Sequence, residues 1–298
     1  MKSYTITPSK TEGDLCDNIT VYEFSSNLDI LRLVNEKLQS GIEYEGVKQA
    51  NSDPDWCGGE CNSFDDAIKC LRYGNPNYTK QFLEGLNEIA YTGDDDRTTF
   101  MDVEGFCYDM GAVVSGEPEC CLNMVMPEAN RQVTVYVGHT YPGYVDADHI
   151  RNRGIAIANL LTTLLTKNYF VDLKFLANRN YRDIEMCHIY NVSCKSICAA
   201  ELAFYCTPEF FRMITLTLDG MTSGDKNKSG QCTSYARKAT KEMMIRQNAF
   251  YIPSSYDDKE AENLDTAQLA DAYVKKLWNE YQRLGYSPWL IKDPSKEM

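Results

Sequence analysis

One stretch restricts the fold of this chain more than any other: Arg131 to Ala177, RQVTVYVGHTYPGYVDADHIRNRGIAIANLLTTLLTKNYFVDLKFLA. Val133, Val135 and Val137 alternate with Thr134 and Tyr136, the pattern of a mostly buried strand. A helix follows, capped by Asp146 or Asp148. Its inner face carries Ile150, Gly154, Ile157, Ala158, Leu161, Leu164 and Leu165 at helical spacing. Gly154 in the middle of that face implies close approach to a sheet. Phe170 to Leu176 reads as a second strand. Strand, helix, strand is the repeating unit of parallel α/β sheets. The turn Gly138-His139-Thr140-Tyr141-Pro142-Gly143 leaves the carboxyl end of the first strand. Open α/β sheets place their ligand sites there.

The pattern continues downstream. Ile184 to Val192 is a third strand, and Ser196 to Leu218 a long apolar helix that Thr207-Pro208 can interrupt. Ala249 to Pro253 is a short strand. Thr266 to Leu284 is an amphipathic helix stopped by Gly285. Upstream, Asp29 to Leu38 has a helical pattern, while Tyr4 to Ile6 and Thr20 to Phe24 are short strands or irregular arms. Ser63-Phe64-Asp65-Asp66 resembles a capping box, and helices follow from Ser63 to Tyr73 and from Thr79 to Tyr91. The expected architecture is α/β: a doubly wound, mainly parallel sheet over residues 98–298, preceded by an N-terminal arm and small helical unit over residues 1–97.

A chain of 298 residues, 43% hydrophobic, can bury one large core. Its longest greasy run, Ile155 to Leu165, is interrupted by Asn159, Thr162 and Thr163, so no membrane span is expected. The N-terminus MKSYTITPSKTEGD lacks the apolar region of a signal peptide, which points to the cytoplasm. The 12 cysteines are then expected to be reduced thiols, several packed as small hydrophobes. A net charge of -13 gives no electrostatic footprint for nucleic acid. Lys226, Lys228, Arg237, Lys238 and Lys241 form a local basic exception.

Three groups carry candidate chemistry. His139, Thr140, Asp146 and Asp148 lie at the strand-end turn and offer nitrogen and oxygen ligands to a divalent cation such as Mg. The same residues also serve to finish a strand and cap a helix. Glu117 and Glu119 flank Pro118 on a rigid backbone, as a ligand pair or an acid/base pair, or as part of an ordered connection. Cys57-Gly58-Gly59-Glu60-Cys61 offers half a zinc site or a tight turn. No GxSxG, HExxH, Walker A or GxGxxG motif is present.

From residue 131 onward, the order of elements resembles a von Willebrand factor A domain. In that family the first strand ends in a metal-binding DxSxS motif. Here the matching place reads Gly138-His139-Thr140-Tyr141-Pro142, with glycine where the first aspartate stands. Trp56-Cys57-Gly58-Gly59-Glu60, Ser63 to Ala67, Ser115 to Glu119 and Arg153-Gly154-Ile155-Ala156 together resemble a group of uncharacterised proteins of tailed bacteriophages and mobile elements, over about residues 50 to 285. That resemblance implies an infected host cell as the setting. The functional expectation is an interaction or assembly protein that binds a protein partner or itself. A divalent-metal-dependent enzyme acting on a phosphate-containing substrate and a nucleic-acid-associated factor are the alternatives.

Overall fold

The computed structural model describes residues 1–6, 19–90, 99–102, 107–108, 121–124, 131–167, 169–181, 184–192, 199–227, 249–255, 258–262 and 264–285. The N-terminal part runs β1 (Lys2–Ile6), β2 (Ile19–Phe24), α1 (Asn27–Gln39), α2 (Glu45–Ser52), α3 (Pro54–Cys57), α4 (Phe64–Tyr73) and α5 (Pro76–Ala90). Three short strands follow: β3 (Thr99–Asp102), β4 (Cys107–Tyr108) and β5 (Cys121–Met124). Then come β6 (Arg131–Gly138), α6 (Ala147–Thr166), β7 (Tyr169–Tyr181), β8 (Ile184–Val192) and α7 (Ala199–Tyr205). A π-helical segment (Phe210–Thr215) leads into α8 (Leu216–Ser223), and the described chain ends with β9 (Phe250–Ile252) and α9 (Ala267–Leu284).

The local signals explain these elements. Ser63 accepts a hydrogen bond from the Asp66 amide at 3.2 Å, the capping arrangement its spacing implies. Thr266 does the same for Leu269 at 3.2 Å, and Gly285 ends α9 in the left-handed conformation at φ 74°. Asp146 occupies the cap position of α6 with extended backbone, without a side-chain capping bond.

Six strands form one sheet in the order β1-β2-β8-β7-β6-β9. β6 is parallel to both β7 and β9, as its crossover helix requires. β7 and β8, however, are antiparallel, and β2 runs parallel to β8 with β1 antiparallel outside it. The sheet is therefore mixed, not mainly parallel. The cause is chain length: β7 ends at Tyr181 and β8 begins at Ile184. A parallel return needs a crossover of a dozen or more residues, so only an antiparallel return fits. β2 lies beside β8, so the N-terminal residues share the sheet with those after 131. β3, β5 and β4 make a separate three-stranded sheet.

The large core lies on one face of the six-stranded sheet. Val133, Val135 and Val137 meet Ile157, Leu161 and Leu164 of α6 within a cluster that also takes residues from α1, α4, α5, α7 and α9. The opposite face buries Val21, Tyr136, Leu176, Cys187, Ile189 and Tyr251. Among the described residues that second cluster draws on the strands and Ala249 alone. Gly154 is close-packed against a helix end, not the sheet: a Cβ there would stand 2.3 Å from Cys206 Cβ.

Gly138 has a packing reason to be glycine. A Cβ at this position would sit 2.5 Å from Tyr251 Oη and 2.7 Å from the Ser254 amide nitrogen. The chain leaving β9 crosses directly over it. Gly138→Ala should therefore lower stability by roughly 1–3 kcal/mol through overpacking. Urea denaturation followed by circular dichroism measures this; an unchanged midpoint would show that the crossing yields freely.

Candidate functional site

Residues 202–221 are buried throughout. Within this run stand Glu209, Arg212 and Asp219. Charged side chains are almost never fully buried unless they are paired. Thr207 organises the break before them: its hydroxyl donates to the Phe204 carbonyl at 2.8 Å and accepts from the Phe210 amide at 3.2 Å. Pro208 has no amide to donate. The helix resumes in π form, with Glu209 and Arg212 on the side of the Trp56–Glu60 loop.

These side chains grip that loop. The Glu60 amide donates to Glu209 Oε1 at 3.2 Å. Arg151 of α6 donates from Nη2 to the Gly58 carbonyl at 2.7 Å, and the same nitrogen stands 3.7 Å from Glu209 Oε1. Arg151 Nη1 meets Asp148 at 2.8 Å. Arg212 donates to the carbonyls of Trp56 and Val145 and lies 4.7 Å above the Trp56 ring centroid. Trp56 Nε1 in turn donates to the Gly143 carbonyl at 3.2 Å. The loop backbone must come very close. Gly58 has φ 137°, and a Cβ there would stand 2.1 Å from Glu209 Oε1. Only glycine meets both requirements. The Cys-Gly-Gly-Glu sequence is thus a turn built over a carboxyl group.

Burial dominates the electrostatics. It pushes the Glu209 carboxyl above its ordinary range, opposed in part by Tyr78, Arg151 and the Glu60 amide. It likewise lowers Arg212, with Cys57 and Glu209 acting in the opposite sense. Tyr78 stands against the Glu209 carboxyl group, and its hydroxyl is raised by burial first and by Glu209 second. Tyr78 Oη and Glu209 Oε2 are both buried and have no other hydrogen-bond partner among the described residues. Such atoms near a cleft are candidates for function.

A cleft of about 480 Å³ opens beside the grip, between α5, α6, the end of α7 and the start of α9. Its wall includes Tyr78, Glu84, Asp148, Arg151, Cys206 and Asp265. Arg151 belongs to both places: it lines the cleft and holds the loop. The carboxylates at the wall are well exposed, with side-chain accessibilities of 61% for Glu84, 80% for Asp148 and 70% for Asp265. His149 Nε2 lies 2.6 Å from Asp265.

The strand-end turn is occupied by structural contacts. The His139 ring is 1% exposed and sits among Tyr141, Phe175, Phe210 and Phe211, with centroids 5.3–5.7 Å away. Thr140 accepts from the Asn178 amide at 3.2 Å. Asp146 is exposed at the start of α6. Arg153, 1% exposed, locks the turn by donating to Tyr141 Oη at 2.6 Å and to the carbonyls of Ile252 and Pro253 at 3.0 and 2.7 Å. Glu117 and Glu119 lie outside the described residues, as do Lys228, Arg237, Lys238 and Lys241. Among the described residues there is no group of three or more His, Cys, Asp or Glu placed to hold a metal ion. No described helix is long and apolar enough to cross a membrane. Sequence reading missed Glu209 and Arg212, although charges inside the apolar 202–221 run were a visible signal.

The model of a domain of unknown function, DUF7192, matches residues 5–279. The chain belongs to that family. No curated protein and no solved structure matches the chain.

The burial of Glu209 has a pH signature. A carboxyl group raised in the folded state contributes stability that is full below its ordinary value of 4.5 and is lost as pH rises through the folded value. Glu209→Gln removes that titration. The stability of the native chain should therefore fall relative to Glu209→Gln as pH rises above 4.5. Urea midpoints of both proteins across this range provide the test, and parallel profiles would contradict the assignment. Separately, Gly58→Ala should cost about 2 kcal/mol or more, combining a strained φ with overpacking on the carboxyl group. Thermal unfolding that matches the native protein would refute the grip.

Proposed function

We propose that this protein is a binding protein without a catalytic role of its own, and that the cleft between α5, α6 and α9 receives a lysine or arginine side chain of a basic protein partner. The observation that carries this reading is the charge of the cleft wall: Glu84, Asp148 and Asp265 line it with Arg151, while Lys80 stands 3.8 Å from Glu84 and His149 2.6 Å from Asp265 at its margin. Arg151 and Asp148 pair with each other, which leaves the well-exposed Glu84 and Asp265 as the carboxylates that would meet a cation. The volume of about 480 Å³ suits a side chain or small ligand. The net charge of -13 would steer a basic segment towards the protein from a distance.

Fluorescence anisotropy with a labelled lysine- and arginine-rich peptide, beside an acidic peptide of equal length, tests the reading. The basic peptide should bind, and binding should weaken as added salt shortens the Debye length below ~10 Å. Glu84→Gln together with Asp265→Asn should weaken it about two- to thirtyfold, since exposed pairs contribute roughly 0.2–1 kcal/mol each. Absence of binding at low salt, or equal binding by the double variant, would overturn the proposal.

A further inference from the structure

Cys61 and Cys70 stand apart from the other described cysteines. Their sulfur atoms are 3.6 Å apart. Cys61 ends the gripped loop and is 0% exposed, while Cys70 lies one helix turn from the end of α4 and is partly exposed. Asn75 places Nδ2 3.6 Å from the Cys70 sulfur, and Asn75 lines a surface groove with Tyr73, Gly74 and Pro76. Cys70 thus combines partial exposure, a hydrogen bond from the Asn75 amide and a second thiol within hydrogen-bond distance.

We propose that Cys61 and Cys70 form a redox-reactive pair, in which Cys70 is the peroxide-sensitive thiol and Cys61 resolves it to a disulfide. The Cys70 thiolate attacks one oxygen of hydrogen peroxide. The O–O bond breaks, hydroxide leaves, and Cys70 becomes a sulfenic acid. The Cys61 sulfur then attacks the Cys70 sulfur, its proton joins the departing hydroxyl, and water leaves. Two thiols and one peroxide give one disulfide and two waters, with two electrons passing from sulfur to oxygen. The sulfurs close from 3.6 Å to a bond of about 2.0 Å.

The electrostatics agree with these roles. The shared sulfur–sulfur hydrogen bond and then the Asn75 amide lower Cys70, against burial, while the same bond and burial raise Cys61, so the proton of the pair rests on the buried Cys61. Burial pushes Cys57 and Cys206 up to about 12, which leaves them inert. The bond would tie the end of the gripped loop to α4. The pair lies outside the cleft and does not depend on what the cleft binds.

Limited peroxide applied to the native full-length protein, followed by alkylation, non-reducing digestion and mass spectrometry, decides the matter. A peptide linked through Cys61 and Cys70 should dominate and should revert with dithiothreitol. Before oxidation, iodoacetamide at neutral pH should label Cys70 more than about tenfold faster than Cys57 or Cys206. In Cys61→Ser, Cys70 should accumulate as a sulfenic acid trapped by dimedone. Should that variant not fold, the native peptide map stands alone. Cys70 still alkylable after peroxide treatment, or bonded to a different cysteine, would overturn the proposal.

Discussion

A buried carboxyl group at the end of a broken helix organises this molecule. Glu209 is 0% exposed and accepts the Glu60 amide, while Arg151 approaches it from α6. Arg212, three residues further on, holds Trp56 and Val145 through their carbonyls. One helical turn therefore joins three separate pieces of chain: the Gly-Gly loop, the start of α6 and the turn after β6. Leaving any of these buried polar groups unpaired would cost ~1–3 kcal/mol. That penalty makes the loop geometry specific, because a slipped loop would strand Glu209 without its amide partner.

The same logic explains the strand-end turn. A ligand site at the edge of an α/β sheet needs open space and side chains aimed into it. Here Arg153 fills the space, bonded to Tyr141 and to two carbonyls after β9. His139 is enclosed by four aromatic rings, and Gly138 is covered by Tyr251 and Ser254. An accessible cleft lies instead at the side of α6, where Arg151 connects the loop to it. Two arginines separated by one residue, Arg151 and Arg153, face these two places and anchor both.

Much of the architecture was legible from local pattern. The Val133, Val135, Val137 alternation and the three- and four-residue spacing from Ile150 to Leu165 specify β6 and α6 without tertiary knowledge. The cap at Ser63, the helix starting near Thr266 and its stop at Gly285 were legible for the same reason. The direction of β8 was also within reach, since the seven residues between Leu176 and Ile184 are too few for a crossover. The candidate site was hidden because its parts are distant in sequence: Gly58, Arg151 and Glu209 meet only through the fold. Periodicity weighs residues 202–221 by their average apolarity, and a few charges barely alter that average. Their burial turns those charges from exceptions into the anchors of the site.

Hydrogen exchange of the Trp56–Glu60 amides, compared between the native protein and Glu209→Ala, measures the grip most directly. If the carboxyl group anchors the loop, the variant should lose protection at these amides and in the turn from His139 to Val145, while β7 and β8 keep theirs. Unchanged exchange in the loop, or an equal loss across the whole sheet, would contradict the account.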